Sequence, residues 1–386
     1  MPNFVDGESA ASVFTKINDA ITIVDGLSSG DGTRVVFRSQ ADAQAYTTFS
    51  TAPASILLTG FTTADEFGKP RQYVLVGSEP SHGGKVTITL SNGGTVYYEP
   101  DTSTWVTPQM YGGTGQSAIV DAHTQADRVY YPKAAYARTA AMALTKSYVR
   151  VKFEPGATVS VPGGSGFMSA LYEFDGVDDL EWIGGEVDCN TLSAGCLAIE
   201  ANADARVKVH DLQISNAHAG ATGYYWYAGG ILIWGDTNEL EEIDIRRCKV
   251  DGVTRATGLT NYTCAGIEAV HARRTRIIDN YVKGVIAPAT EGDADGIKYF
   301  TRNVLENPEA DPEDYVYSYN HGDCIISGNS VIDCNGRWLK TQARGRCVIT
   351  DNRFAVDNAI SSISAEGSGF IGIDDQHGPS EIRGNR

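Results

Sequence analysis

The stretch that decides the fold is Cys324-Ile325-Ile326-Ser327-Gly328-Asn329-Ser330-Val331, and Cys347-Val348-Ile349-Thr350-Asp351-Asn352-Arg353-Phe354 repeats its pattern. In each copy the first and third residues are small or apolar, and an asparagine precedes the last apolar residue. Residues two apart point to the same side of a strand. Five looser copies begin at Leu180, Val207, Ile243, Thr275 and Ser380. One such unit cannot bury its apolar side alone, but stacked units can.

A second short apolar segment lies between the copies and begins with glycine in its most regular forms, Gly230-Ile231-Leu232-Ile233 and Gly266-Ile267-Glu268-Ala269. Two or more short strands per unit, without a helix between them, predict a right-handed parallel β-helix over about residues 145 to 386. The copies are unevenly spaced, which disfavours a leucine-rich repeat. The extra residues are therefore expected to form loops along one flank, where solenoid proteins carry binding functions.

Two columns of stacked residues follow from this alignment. The first should be an interior column of isoleucines: Ile245, Ile277, Ile326 and Ile349. The second should be a stack of asparagines at one turn: Asn280, Asn329, Asn352 and Asn385. Asparagine tolerates the left-handed conformation, and its amide can bond to its neighbours along the stack.

Composition restricts the partners of this chain. Its 386 residues carry a net charge of -17, and no basic stripe is visible, so we expect no nucleic-acid partner. No apolar run reaches the roughly 20 residues that span a bilayer, and residues 1–8 lack the features of a signal peptide. We therefore expect that the chain does not insert into a membrane. We also expect that it is made in the cytoplasm of the producing cell. The seven cysteines, from Cys189 to Cys347, are predicted to be buried thiols, with a disulfide between Cys324 and Cys347 as the alternative.

Three regions are predicted along the chain. Residues 1–32 contain an amphipathic helix over Ser9–Val24 and a linker. Residues 33–105 form a small β-rich module, in which Ser91-Asn92-Gly93-Gly94 indicates a hairpin. Residues 106–386 form the β-helix. The fold class is therefore all-β, a parallel β-helix preceded by a small β module and an N-terminal helix.

Two segments resemble phage tail spikes and tail fibres of the pectate-lyase-like superfamily. Residues 77–85, Gly-Ser-Glu-Pro-Ser-His-Gly-Gly-Lys, are similar to the "SEPxHxGK" end of their small module. Residues 108–115, Pro-Gln-Met-Tyr-Gly-Gly-Thr-Gly, are similar to the stretch at the mouth of their β-helix. The sequence departs from that family at residues 117–122, Ser-Ala-Ile-Val-Asp-Ala. The usual capping helix is therefore expected to be altered or absent.

The resemblance implies a virion protein. Residues 1–25 would attach to a tail or baseplate protein, and the β-helix would bind a host surface polysaccharide. The β-helix would either bind this polysaccharide without cleaving it or also depolymerise it. A homotrimer is expected, because an open end of the β-helix exposes unpaired strand groups unless another chain or further residues cover it. The main alternative is a free polysaccharide lyase or glycoside hydrolase of the same fold class, and the third is a non-enzymatic bacterial adhesin.

Candidate site residues are of two kinds. β-Helix glycanases use carboxylates on neighbouring coils, so the candidate catalytic residues are Glu268, Asp293, Asp295, Asp374, Asp375 and His377. A structural ion pair with Lys298 is the alternative role for Glu268. The candidate glycan-binding residues are Tyr224, Tyr225, Trp226 and Tyr227, with packing on a loop or another subunit as the alternative. No metal site or cofactor is expected.

Overall fold

The computed structural model describes most of the chain and divides it into two compact units, residues 1–129 and 130–386. The described residues are 35–47, 49–62, 67, 69–220, 227–235, 239–256, 263–270, 272–288, 294–300, 323–342, 346–357, 371–375 and 380–386. The predicted helix over Ser9–Val24 and the attachment segment 1–25 lie outside them.

The first unit contains a five-stranded sheet in the order β1-β2-β3-β5-β4. Its strands are β1 (Val35–Phe37), β2 (Ser55–Leu58), β3 (Arg71–Val76), β4 (Val86–Thr89) and β5 (Thr95–Pro100). Tyr73, Ile88 and Tyr98 are fully buried on the inner side of the sheet, and their neighbours along each strand are less buried, as the alternation of a strand requires. Strands β4 and β5 pair antiparallel, so the predicted hairpin at residues 91–94 is confirmed.

Two α-helices lie in the described part of the same unit. Helix α1 (Gln40–Ala45) begins where the Ser39 hydroxyl accepts a hydrogen bond from the Asp42 backbone N–H. A 3₁₀ turn (Pro108–Tyr111) precedes helix α2 (Gln116–Gln125). The helix that we expected to be altered or absent is therefore present. Its buried side consists of Ala118, Ile119, Ala122 and His123, and the helix forms without the family motif.

The second unit is a parallel β-helix, as predicted. Strand β6 (Arg128–Tyr131) leads into it, and each complete coil contributes one strand to each of three faces. Face A contains β9 (Tyr148–Phe153), β16 (Leu240–Arg246), β19 (Ala272–Ile278), β22 (Asp323–Ser327), β25 (Cys347–Thr350) and β28 (Ser380–Arg383). Face B contains β7 (Ala135–Ala137), β10 (Thr158–Ser160), β12 (Glu186–Asp188), β14 (Gln213–Ala219), β17 (Lys249–Arg255), β20 (Tyr281–Ile286), β23 (Ser330–Ile332) and β26 (Arg353–Ala355).

Face C contains β8 (Met142–Thr145), β15 (Tyr227–Gly235), β18 (Thr263–Val270), β21 (Ala294–Phe300), β24 (Arg337–Gln342) and β27 (Ile371–Asp375). Two long strands, β11 (Met168–Ile183) and β13 (Ser193–His210), begin on face C and continue onto face A. The register of β11 shifts between Phe174 and Asp179, where the strand turns the corner.

The predicted isoleucine column is confirmed. Ile245, Ile277, Ile326 and Ile349 are register partners on successive strands of face A, and all four are fully buried. Burial of each such side chain contributes about 1.5–3 kcal/mol relative to exposure. The repeat pattern thus marks the core of the β-helix directly.

The predicted asparagine stack is also present, at the turn from face A to face B. The side-chain oxygen of Asn329 accepts from the backbone N–H of Asn280, that of Asn352 from Asn329, and that of Asn385 from Asn352. The left-handed residues are not these asparagines but the residues before them, such as Asp279 at φ 56° and Asp351 at φ 57°. An aspartate or glycine takes the strained position, which leaves each asparagine side chain free to turn inward.

A stack of glycines brings faces B and C together. Gly230, Gly266 and Gly296 are register partners on β15, β18 and β21. A Cβ on Gly266 would lie 2.4 Å from a Val282 methyl and 2.6 Å from the Gly296 carbonyl oxygen. The three glycines therefore leave the room that the valines of face B occupy.

All seven cysteines are buried and carry free thiols. Cys324 and Cys347 are register partners on β22 and β25, and they serve as small apolar residues of the core. Among the described residues, no helix is long and apolar enough to cross a membrane.

Candidate glycan-binding groove

The outward side of face B carries two columns of polar residues. In each coil, the residue that follows the turn from face A belongs to the first column. The residue two positions later belongs to the second column. Register pairing gives the first column as Thr158, Glu186, Gln213, Lys249 and Tyr281. It gives the second as Ser160, Asp188, Ser215, Asp251 and Lys283. Successive members are about 4.8 Å apart, because parallel strands stack at that spacing.

The first four members of each column line an open groove of about 240 Å³ over strands β10, β12, β14 and β17. Buried Val159, Val187 and Ile214 form the layer beneath it. Its surface groups are hydroxyls, carboxylates, one amide and one ammonium. These groups donate and accept hydrogen bonds along a line that crosses four coils.

Carboxylates dominate the charge of the groove. Asp188 is held in place, because its Oδ1 accepts from the Asn190 backbone N–H and from Asn216 Nδ2, both at 2.9 Å. Glu186 is exposed on the same strand and the same side. The ammonium of Lys249 lies 3.8 Å from Asp251 Oδ2, so it is paired within the groove.

An aromatic residue takes the next position of the first column, one coil beyond the groove. The Tyr281 ring is half-buried on β20, with the Lys249 ammonium 5.9 Å from its centroid. Farther along β14 and β17, His218 Nδ1 and Thr254 Oγ1 are 2.8 Å apart. Burial lowers the pKa of His218, so its imidazole is neutral at pH 7 and adds no positive charge.

Sequence reasoning missed this groove, although its signal was in the repeat. The groove residues occupy the variable positions on either side of the last apolar residue of each copy. Those positions hold Glu186 and Asp188 around Val187, and Lys249 and Asp251 around Val250. Because the apolar residue points inward, its two neighbours must point outward.

Two of the predicted catalytic residues have structural partners on face C. Glu268 Oε1 lies 3.7 Å from Lys298 Nζ on the next coil, which is the ion pair that we gave as the alternative. Asp295 is fully buried, and its Oδ1 accepts from Arg337 Nε at 2.7 Å. The structure does not bring these two carboxylates to one exposed surface.

The remaining predicted residues are only partly covered by the description. The backbone of β27 places Asp374 in register with Lys340 and Asp375 with Thr341, and the two side chains lie outside the described set. Tyr227 begins β15, and its side chain is likewise outside. Five further candidate residues lie outside the part of the chain that the structure describes: Tyr224, Tyr225, Trp226, Asp293 and His377.

Comparison with known proteins gives matches among solved structures alone. No family model and no curated protein matches this chain. One solved structure that it matches is from Pantoea stewartii and is described as a glycan biofilm modifying enzyme with a bacteriophage tailspike-like parallel β-helix fold. The identity is 13% and the TM-score 0.39, over 87% of this chain and 49% of that one. The chain thus spans about half the length of the structure it matches, and its fold rests on its own strand pairing.

Proposed function

We propose that this chain is a glycan-binding β-helix protein of the phage tail-spike or tail-fibre type, and that its groove on face B binds a host surface polysaccharide. The observation that carries the proposal is the pair of polar columns over four successive coils, with Tyr281 at the next coil. A repeating ladder of hydrogen-bonding groups suits a repeating chain of hydroxyl-rich units.

The chemistry of the groove supports a sugar ligand in two ways. Hydroxyl, amide and carboxylate side chains supply the donors and acceptors that sugar hydroxyls need for hydrogen bonds. An aromatic face beside them packs against the apolar side of a sugar ring, and the tyrosine hydroxyl stays in water. Gln213 and Tyr281 supply one group of each kind in the first column, with Lys249 between them.

Binding to purified bacterial surface polysaccharides tests the proposal. Tyr281→Ala and Gln213→Ala should each weaken binding about fivefold, since an aromatic contact or a hydrogen bond of a ligand contributes on the order of 1 kcal/mol. Tyr148→Ala is the matched control, because Tyr148 is an exposed tyrosine on face A. Equal binding by all three variants and the unaltered chain would reject the groove.

Attachment to a virion is part of the same proposal. The resemblance at residues 77–85 and 108–115 supports it, together with the apolar stripe of Val13, Ile17 and Ile21. A chain that begins at residue 26 should fold and bind glycan but fail to join phage particles. A homotrimer of 41.4 kDa chains is expected in solution, which sedimentation or light scattering measures directly.

A second candidate function is cleavage of the bound glycan. It is favoured by the position of Glu186 and Asp188, whose side chains leave the same side of β12 two residues apart. Paired carboxylates hydrolyse glycosidic bonds as a general acid with a base or nucleophile. Release of new reducing ends from a bound polysaccharide without an unsaturated uronic product, abolished in Glu186→Gln and Asp188→Asn, would establish hydrolysis, since a lyase also releases reducing ends. Binding without any such release would leave a receptor-binding role alone.

A further inference from the structure

The lysines of the two outward columns of face B are already paired with aspartates. Lys249 Nζ lies 3.8 Å from Asp251, and Lys283 Nζ lies 3.9 Å from Asp333. Both lysines extend from the outward columns, Lys249 within the groove and Lys283 one coil beyond it. Each ammonium therefore already has a carboxylate within 4 Å before any ligand arrives.

The negative charges at the centre of the groove have no such compensation. No cation of the described residues forms an ion pair with Glu186 or Asp188. The hydrogen bonds to Asp188 come from neutral groups, the Asn190 N–H and Asn216 Nδ2. His218 is neutral at pH 7 and adds no cation to face B. The middle of the groove is therefore net negative.

We infer that the groove selects uncharged polysaccharide and rejects chains that carry uronic or other acidic sugars, with Glu186 and Asp188 as the residues that set this specificity. The inference rests on the proposed glycan-binding function and names its ligand class. An acidic sugar over β12 would place its carboxylate beside the carboxylates of Glu186 and Asp188, and neighbouring like charges repel. An uncharged sugar meets the same two groups as hydrogen-bond acceptors for its hydroxyls.

The inference also restricts the chemistry of cleavage. Elimination by a lyase removes a ring proton that a neighbouring uronic carboxyl group makes acidic. A groove that rejects uronic acids lacks that substrate. Cleavage in this groove would therefore be hydrolysis, with water added across the glycosidic bond and one new reducing end per cut.

The test uses the full chain and a panel of purified bacterial polysaccharides, half of them uncharged and half containing uronic acid. The unaltered chain should bind members of the uncharged half, and Tyr281→Ala should weaken that binding. Glu186→Gln should strengthen binding to the acidic half about fivefold at low salt, and this gain should shrink to less than twofold at about 0.5 M salt. Asp188→Asn keeps the Oδ1 acceptor and should behave in the same way.

Asp175→Asn is the matched control, because it removes one negative charge from an exposed residue on β11, away from face B. It should leave binding to both halves of the panel unchanged. Binding of an acidic polysaccharide that Tyr281→Ala weakens, with no gain from Glu186→Gln, would overturn the inference and leave the proposed function intact. If Tyr281→Ala changes binding to no member of either half, the proposed function fails, and the inference fails with it.

Discussion

Asn329 holds two coils of the β-helix together through one side-chain oxygen. Its Oδ1 accepts from both the backbone N–H and Nδ2 of Asn280, at 2.9 and 3.0 Å. Its own Nδ2 donates to the Ile277 carbonyl at 2.8 Å and to Asn352 Oδ1 at 2.9 Å. Because Asn280 and Asn329 are at most 2% exposed, water does not replace these bonds. The ladder therefore satisfies the polar groups of a turn that lies inside the core.

Asn329→Ala should lower the free energy of unfolding by about 2–4 kcal/mol, because it leaves the Asn280 N–H and the Ile277 carbonyl buried without partners. Chemical denaturation measures the loss. Asn385→Ala is the control, since Asn385 is partly exposed and water can take its place. Similar losses for both variants would contradict the argument from burial.

Gly266→Ala should destabilise the β-helix by about 1–3 kcal/mol through overpacking. The new methyl group would meet Val282 at 2.4 Å and the Gly296 carbonyl oxygen at 2.6 Å, and the oxygen belongs to the backbone and cannot move aside easily. The thermal unfolding midpoint measures the effect. Gly163→Ala is the matched control, because a Cβ there has no atom within 4 Å. An unchanged midpoint for Gly266→Ala would show that faces B and C can separate without cost.

Structural features that repeat from coil to coil can be predicted from the sequence, and features that occur once cannot. Ile277 and Ile326 recur with a fixed pattern, so the core column and the parallel β-helix follow from the chain alone. Asp295 has no repeating signal, because its burial depends on Arg337, which lies 42 residues away and one coil on. Glu186 occupies a variable position of the repeat, and the chemistry of a groove appears only when several such positions stack. Such contacts between neighbouring coils depend on the register of the strands. The loops between the copies differ in length, so this register cannot be read from the sequence.

Arg337→Met should destabilise the protein by about 3–5 kcal/mol, because it leaves the carboxylate of Asp295 fully buried without its main counter-ion. The double variant Asp295→Leu/Arg337→Met should recover most of that loss, since an apolar pair of similar size needs no charge compensation. Unfolding curves of the single and double variants separate the two cases. If Arg337→Met costs less than about 1 kcal/mol, the pair is not structural, and Asp295 returns as a candidate for catalysis.

The carboxyl group of Glu173, on β11, makes the stability of the protein depend on pH. Burial raises the pKa of its carboxyl group, and Asp175 and Glu200 raise it further. The folded state therefore holds the proton more tightly than the unfolded state, whose glutamates titrate near pH 4.3. As the pH rises through the unfolded pKa toward the folded one, the unfolded state releases its proton first and stability falls. Above the folded pKa the penalty is complete, and below the unfolded pKa it is absent.

Glu173→Gln should accordingly raise the unfolding midpoint at pH 7 and leave it unchanged at pH 3, where the carboxyl group is protonated in both states. Thermal or denaturant unfolding at the two pH values measures the difference. Glu181→Gln is the control on the same strand: its carboxylate lies 3.6 Å from Arg150, so its removal should bring no gain at pH 7. An equal gain from Glu173→Gln at both pH values would mean that packing of the amide, and not the lost charge, stabilises the variant.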